Sequence, residues 1–309
     1  MLLAGCSKDD GNSAQQAGGE AQEICVQTNL TKMQTRATTY DDAAGLQAEA
    51  HFTCTAYNAG TLTEYIPTTT VDWNSTQWQF NNGASHYYWP LPASNGGAWP
   101  SLDFFGYMPS AANLSTEAPY IGSINYTAEH NVTFTCSGLP MTNAEQGSSL
   151  KEFMFGMALD QNYGNASAGV PLTFQHPFAL IKFTITAASG THVQINSISI
   201  AGLYTNATCT YNGTAMTWGS YSGSATMTIA QTLKNGGTTE TSQFLVIPKN
   251  YGSKYLTVNA TWDDWSDVTI SDYGTNVDFN WEPGCKYTYN LTLDKTGLIV
   301  NTSEFTEQW

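Results

Sequence analysis

Cys6 is the residue whose chemistry is most narrowly defined by its neighbours. It follows Leu3, Ala4 and Gly5 and precedes a polar run from Ser7 to Asp10. Small residues before a cysteine let a peptidase close on the backbone, and a thiol can carry a thioether-linked diacylglycerol. Because two or more acyl chains make membrane attachment durable, the pattern predicts a lipid anchor at Cys6.

Only five residues precede Cys6, whereas a secretory signal has an apolar stretch of about 7 to 15 residues. We interpret residues 1–6 as a truncated signal, with the true start codon upstream. A chance cysteine in an unstructured N-terminus is the alternative. The first interpretation predicts an exported lipoprotein that meets the membrane only through its lipid.

The five histidines are the first candidates for acid-base catalysis. They lie in separate segments, and none accompanies a Gly-x-Ser-x-Gly nucleophile motif. They are His51, His86, His130, His176 and His192. His176 falls within an apolar strand pattern, where a histidine packed in the core is the simpler interpretation. The sequence predicts no catalytic residue and no enzyme.

Asp263, Asp264 and Asp267 lie beside Trp262 and Trp265. Paired carboxylates next to aromatic platforms would suit glycoside hydrolysis, but the spacing alone does not place them the required distance apart, about 5 to 10 Å. We interpret the cluster as a polar loop between strands. Glycan binding without catalysis is a stronger rival, with the tryptophans as stacking surfaces. Aromatic residues that fill the core are the simpler explanation.

If Cys6 is lipidated, the five cysteines that follow it are an odd set and cannot all pair within one chain. No Cys-x-x-Cys pair or Cys-His cluster indicates zinc, and we predict neither a metal nor a cofactor. Four of them occupy inward-facing positions of predicted strands: Cys54, Cys136, Cys209 and Cys285. Buried free thiols and disulfides both remain open for these four.

Composition excludes one class of partner and favours one class of fold. The formal net charge is −15, with 10 Lys plus Arg against 25 Asp plus Glu, so nucleic acid is not an expected partner. Only 11% of residues are charged, and the abundant Thr, Asn, Ser, Gly and Tyr suit strands and turns. No apolar run reaches the roughly 18 residues of a membrane span. We expect an all-β protein.

The pattern along the chain positions these residues on short strands. Residues 7–22 indicate a flexible tether, and a half-buried strand follows from Ile24 to Leu30, before Arg36, the only arginine. Further strand-like runs are Ala48–Tyr57, Gln77–Phe80, His86–Trp89, Leu102–Tyr107 and Val132–Cys136. Loop chemistry between 159 and 168 predicts a domain boundary. We therefore divide the folded part into 37–165 and 166–309, preceded by a tether and first strand over 7–36.

The second half carries two phase changes of its apolar pattern. From Leu172 to Leu180 the apolar residues occupy even-numbered positions, and from Ile181 to Ile185 they occupy odd-numbered ones. A second change of parity occurs between Ile195 and Ile198. A phase change inside a strand predicts a β-bulge. The clearest alternation runs from Tyr287 to Leu293, and one more strand follows from Leu298 to Phe305.

These pieces, in this order, resemble the fimbrillin-like surface lipoproteins of Bacteroidetes, the major and minor subunits of type V pili. The resembling segments span nearly the whole chain: the lipobox at Cys6, Thr35-Arg36-Ala37, Phe104 to Pro109, Leu172 to Phe183, Phe244 to Pro248, and Trp281 to Tyr289. The resemblance implies two tandem transthyretin-like β-sandwich domains at the cell outer membrane, in a fimbrium that serves cell adhesion.

The resemblance also implies a route of assembly. A protease would cut between Arg36 and Ala37 and remove the first strand, and other pilin subunits would fill the exposed groove by β-strand addition. The donor would be a C-terminal segment, matched here by Leu298, Val300, Phe305 and Trp309. The cut would leave two cysteines in each half, which allows Cys54 to pair with Cys136 and Cys209 with Cys285. A host or bacterial receptor or glycan is a further expected partner. The alternative function is a surface glycan-binding lipoprotein that stays full length and does not polymerise.

Overall fold

The computed structural model describes residues 21–30, 51–92, 98–127, 129–146, 150–187, 193–233, 237–241, 243–263 and 268–308. Strands make up most of these ranges, and the helical pieces are single turns at Asn81–Gly83, Leu114–Glu117 and Tyr163–Ala166. None of the helices described there is long and apolar enough to cross a membrane. The predicted all-β fold class is confirmed.

The strands in chain order are β1 (Val26–Leu30), β2 (His51–Asn58), β3 (Glu64–Trp73), β4 (Trp78–Phe80), β5 (Leu102–Met108), β6 (Ile121–Tyr126), β7 (Val132–Cys136), β8 (Met154–Gln161), β9 (Val170–Gln175), β10 (Ala179–Ala187), β11 (Val193–Tyr211), β12 (Met216–Leu233), β13 (Gly237–Glu240), β14 (Phe244–Val246), β15 (Lys249–Asp263), β16 (Val268–Trp281), β17 (Cys285–Asp294) and β18 (Gly297–Gln308).

Seven strands close into a barrel in the order β1-β4-β3-β2-β5-β8-β9. Aromatic side chains fill its core, because rings bury large apolar areas and pack edge to face. The ring of Phe52 lies 4.9 Å from that of Trp78 and 5.3 Å from that of Phe174, both edge to face. Closure depends on β1, which pairs with β4 on one side and with β9 on the other.

The other strands form a sandwich of two sheets that share one core. The five-stranded sheet has the order β13-β10-β17-β18, with β14 also paired to β10. The six-stranded sheet has the order β16-β15-β11-β7-β6, with β12 also paired to β11. The alternation predicted from Tyr287 to Leu293 is confirmed, since the residues of that parity on β17 are all buried in this core.

The predicted boundary between 165 and 166 does not separate the two units. After β5 the chain leaves the barrel, adds the hairpin of β6 and β7 to the six-stranded sheet, and returns to the barrel as β8 and β9. The loop chemistry from 159 to 168 marks a turn within the barrel, between β8 and β9. A local composition shift carries no information about which sheet the next strand joins.

The two predicted bulges have different outcomes. Between β9 and β10 the structure shows two separate strands in different sheets, with His176 to Phe178 between them, so the first predicted bulge is wrong. The second is confirmed, because the pairing of β11 shifts between Ile195 and Ser197 and leaves Asn196 as the extra residue. A change of parity in the apolar pattern is therefore compatible with a bulge inside one strand or with a break between two strands.

Candidate functional site

The candidate functional site is the seam where β1 closes the barrel. β1 runs parallel to β9 over five paired positions, from Val26 opposite Val170 to Leu30 opposite Phe174. On its other side it pairs with β4 at one position, Val26 opposite Trp78. The strand is therefore attached mainly through β9. Its position in the sequence agrees with the first strand predicted from Ile24 to Leu30.

Apolar burial and side-chain hydrogen bonds hold β1 in this seam. Ile24 and Val26 are buried in the barrel core. The indole Nε1 of Trp78 donates a hydrogen bond to Thr28 Oγ1 at 3.0 Å, and Gln27 Nε2 donates to the carbonyl of Ala168 at 2.6 Å. The seam is neutral along β1, so its closure depends on packing and backbone pairing.

Residues before β1 are attached as well. Ile24 N–H donates to the carbonyl of Tyr87 at 2.7 Å, and Trp89 N–H donates to the carbonyl of Gln22 at 2.9 Å. His86 Nδ1 lies 2.7 Å from Glu23 Oε1. The segment 86–89, predicted as a strand, makes one isolated bridge here, Glu23 opposite Tyr88.

Gly169 lets the chain turn into β9 directly beside β1. Its φ of +127° is one that side-chain-bearing residues rarely adopt, and an added Cβ would lie 2.8 Å from Gln27 Cγ. Gln27 therefore lies flat against the turn that begins β9. This close approach is part of how the seam accepts a strand on that side.

The C-terminal strand β18, the predicted donor, is paired along its length with β17. Its register is shifted at two places, with Asn301 and Thr306 as the extra residues. Because of the shift at Asn301, Leu298, Val300 and Phe305 all lie opposite members of the alternating set on β17, namely Leu293, Leu291 and Tyr287. In the sequence, Thr302 and Glu304 interrupt the apolar alternation of this segment. The register shifts of β18 explain that interruption.

Several residues singled out in the sequence lie outside the described residues. They are Cys6, Arg36, Ala37, His192, Asp264, Trp265, Asp267 and Trp309. Their predicted roles in lipidation, cleavage and strand donation stay predictions.

The four cysteines at inward-facing positions are buried free thiols: Cys54, Cys136, Cys209 and Cys285. Of the two alternatives left open for these cysteines, the structure has the free thiols: Cys54 is not paired with Cys136, nor Cys209 with Cys285. Cys54 lies in the barrel core and Cys136 in the sandwich core, because β7 belongs to the six-stranded sheet. Cys209 and Cys285 both lie in the sandwich core.

We expect the native protein to resist thiol reagents. Burial raises the pKa of Cys54 to about 12, and it also raises the pKa of Cys136 and Cys209. The thiolate is the reactive form, so at pH 8.5 these three thiols stay protonated when folded and ionise when unfolded. Absorbance with a chromogenic disulfide reagent should rise only after denaturant is added. Rapid labelling of the folded chain at these positions would contradict the buried arrangement.

The raised pKa values of these thiols also make the stability of the fold depend on pH. A group whose pKa is raised in the folded state favours folding while it stays protonated, and this contribution is lost once the unfolded thiol ionises. The free energy of unfolding is therefore expected to fall above about pH 8.5, the ordinary thiol pKa.

Two further candidates for chemistry, His176 and Trp262, are buried. His176 is buried with Nδ1 3.1 Å from Glu152 Oε2, as expected of a core histidine. Trp262 is buried in the sandwich core, so it is not an exposed platform for a sugar. Among the described residues no group of three His, Cys, Asp or Glu side chains is placed to hold a metal ion.

One buried carboxylate that the sequence did not single out links the two units. Asp103 on β5 accepts hydrogen bonds from the N–H groups of Gly60 at 3.1 Å and Asp160 at 2.9 Å. His130 Nε2 lies 3.0 Å from the same carboxylate, and His130 belongs to the turn between β6 and β7. Asp103 therefore joins the turn after β2 and the end of β8, both in the barrel, to the β6–β7 hairpin of the sandwich.

Comparison with known protein families identifies the fold. The family model described as fimbrillin-like matches residues 35–309. The chain belongs to the fimbrillin-like family. That family consists of structural subunits of the pilus or adhesin type, so this fimbrillin-like protein is a cell-surface fimbrial protein and not an enzyme.

Solved structures give the same fold at low sequence identity. A protein assigned to cell adhesion from Bacteroides ovatus is 16% identical, with a TM-score of 0.57 over 94% of this chain and 98% of that one. A second, from Bacteroides uniformis, is also 16% identical, with a TM-score of 0.54 over 93% and 99% of the two chains. The sequence has no match among curated proteins. At this identity the likeness concerns the fold alone.

Proposed function

We propose that this fimbrillin-like protein is the lipidated precursor of a type V pilus subunit, activated by cleavage after Arg36 and polymerised by strand exchange. The observation that carries the proposal is the position of β1, which closes the barrel through one parallel ladder and one antiparallel pair. A closing strand at the start of the chain is the element that a single cut can remove without breaking the rest of the fold.

Removal of β1 would create the acceptor. It would expose the edges of β4 and β9 together with the apolar positions that Ile24 and Val26 cover. An unpaired strand edge beside an apolar groove is a template for another chain. The proposed partner is another pilin subunit, which would supply backbone hydrogen bonds along β9 and apolar side chains toward the core.

The proposed donor is the segment of β18 that carries Leu298, Val300 and Phe305, continuing to Trp309. In its own subunit this segment pairs with β17, so donation requires its release from that edge. The register pairs Leu298 with Leu293, Val300 with Leu291 and Phe305 with Tyr287 because Asn301 is an extra residue. The donated strand would keep this bulge, or it would use the two apolar residues before it.

Cys6 would act before assembly. Lipidation there would carry the precursor to the outer membrane with its barrel closed, and cleavage after Arg36 would release the lipid and β1 together. The closed barrel would thus prevent polymerisation until the protein reaches the surface.

Arg36→Ala is the direct test of the cleavage, with Lys32→Ala as the matched control at a neighbouring basic residue. In the native host we expect the wild type and the control to begin at Ala37 and to form polymers that resist SDS. The Arg36 variant should keep its first strand and stay monomeric, because its groove is filled. N-terminal sequencing and unheated SDS gels measure both. A shortened, polymeric Arg36 variant would show that the proposed cut is wrong.

A further inference from the structure

The outer face of the six-stranded sheet carries a ladder of polar side chains across three strands. Gln194 Nε2 donates to Asn196 Oδ1 at 3.1 Å, and Asn196 Nδ2 donates to Asn259 Oδ1 at 2.8 Å and to Thr261 Oγ1 at 2.9 Å. Asn259 Nδ2 donates to Asp272 Oδ1 at 2.8 Å. The bonds run in one direction and end on an exposed carboxylate, so each amide is fixed in one orientation.

The bulge in β11 creates this ladder. Asn196 is the extra residue between Ile195 and Ser197, and its amide reaches two side chains of β15 at once. Bulges re-aim a side chain and are over-represented next to functional sites. The sequence signal that predicted the bulge therefore also marks a residue on this face.

Tyr255 lies beside the ladder as an exposed aromatic platform. Its side chain is 55% exposed, and it is not part of the sandwich core. A Cβ added to Gly274 would lie 2.3 Å from Tyr255 Cε1 and 2.4 Å from its Cζ and hydroxyl oxygen. The ring therefore crosses the neighbouring strand at its glycine and lies flat against the sheet, which leaves its other side open.

Small side chains separate the ring from the ladder. Thr257 lies between Tyr255 and Asn259 on the outward parity of β15, and it pairs with Gly274 and with Ser199. Tyr255 and Asn259 are four residues apart on β15, about 13 Å along the strand, which is the span of two or three sugar rings. The face thus consists of the flat ring of Tyr255, the small residues beside it, and a row of hydrogen-bond donors and acceptors held in fixed orientations.

The charge and the polar groups of this face favour a neutral, hydroxyl-rich ligand. The amides and hydroxyls named here are uncharged, Asp272 supplies one carboxylate, and the whole chain has a net charge of −15. An anionic ligand would be repelled, whereas sugar hydroxyls pair with amides and carboxylates and the apolar side of a sugar ring stacks on an aromatic face.

We propose that the surface formed by Tyr255, Asn196, Asn259 and Asp272, here called the Tyr255 face, binds a neutral glycan. One pyranose ring stacks on Tyr255, and the hydroxyls of the sugars that follow it hydrogen-bond to Asn259 and Asp272. The fixed amides lower the conformational entropy lost on binding. This activity is independent of the proposed polymerisation, since the face lies away from the β1 seam.

A printed array of neutral oligosaccharides, followed by affinity electrophoresis in the polysaccharide identified, tests the proposal with the full chain. We expect wild type to bind at least one neutral glycan and Tyr255→Ala to bind it about tenfold more weakly. Gly274→Val keeps the ring but lifts it from the sheet, and it should weaken binding as well. Tyr88→Ala is the matched control, because Tyr88 is 45% exposed on the barrel side of the molecule.

The proposal is overturned if no neutral glycan binds wild type, or if Tyr255→Ala binds as tightly as wild type. Equal loss in Tyr88→Ala would also overturn it, because it would indicate non-specific adhesion. Analytical ultracentrifugation of the same variants tests whether a second copy of this chain occupies the face instead. A wild-type dimer that Tyr255→Ala converts to a monomer, with no glycan bound by either, would assign the face to that second copy and overturn the proposal.

Discussion

A chain that begins at Ala37 is expected to melt about 10 °C below the full-length protein and to bind a hydrophobic dye. It lacks β1, and the full burial of Ile24 and Val26 contributes about 1.5–3 kcal/mol each. For a chain of this size each kcal/mol corresponds to about 2–4 °C in melting temperature. The backbone groups of β9 that pair with β1 lose their partners as well. Calorimetry and dye fluorescence measure the two effects.

A peptide with the sequence of residues 22–30, carrying Cys25→Ser, should restore the melting temperature when added in excess. A ligand that binds only the folded state stabilises it in proportion to the logarithm of its concentration. The control peptide replaces Ile24 and Val26 with Asp and should restore nothing. A truncated chain as stable as the full-length protein would mean that β1 is dispensable and that no groove opens on its removal.

Asp103→Ala is expected to lower the free energy of unfolding by about 3 kcal/mol. The substitution leaves the N–H groups of Gly60 and Asp160 without their acceptor in a buried place, and removing one partner of a buried polar pair has costs of this size. It also frees His130, so the hairpin of β6 and β7 loses its connection to the barrel.

Denaturant unfolding with Asp103→Asn as the control checks this prediction. The amide keeps the shape and one acceptor oxygen, so the loss should be smaller than for alanine. Glu64→Ala, on the exposed start of β3, removes a carboxylate from the same barrel and should change stability little. If the alanine variant is as stable as wild type, Asp103 does not link the two units.

The parts of the fold that the sequence predicted are those with a strong local pattern. β7 and β17 were predicted from alternation, and the alternating residues on β17 are buried as expected. β3 was missed because it contains Pro67, which removes a backbone donor, and because charged and threonine side chains interrupt its pattern. Exposed positions on a strand carry little of the periodic apolar signal that identifies it.

The organisation above single strands was less predictable. The sheet that β6 and β7 join depends on pairing with β11, more than 70 residues later in the chain, and no local pattern encodes such a partner. Likewise Asp103 is one aspartate among hydrophobic neighbours in the sequence, and the backbone N–H groups that bind it come from Gly60, in the turn after β2, and from Asp160, in β8. The strand of the proposed seam was predictable because Ile24 and Val26 alternate, whereas its parallel pairing with β9 was not.

The path of the chain between the two units has a mechanical consequence. The backbone passes from barrel to sandwich between β5 and β6, returns between β7 and β8, and leaves again between β9 and β10. If a filament is pulled through the barrel seam at one end of each subunit and β18 at the other, tension is shared by three covalent connections. Such a subunit has no single tether between its halves at which it would stretch first under flow.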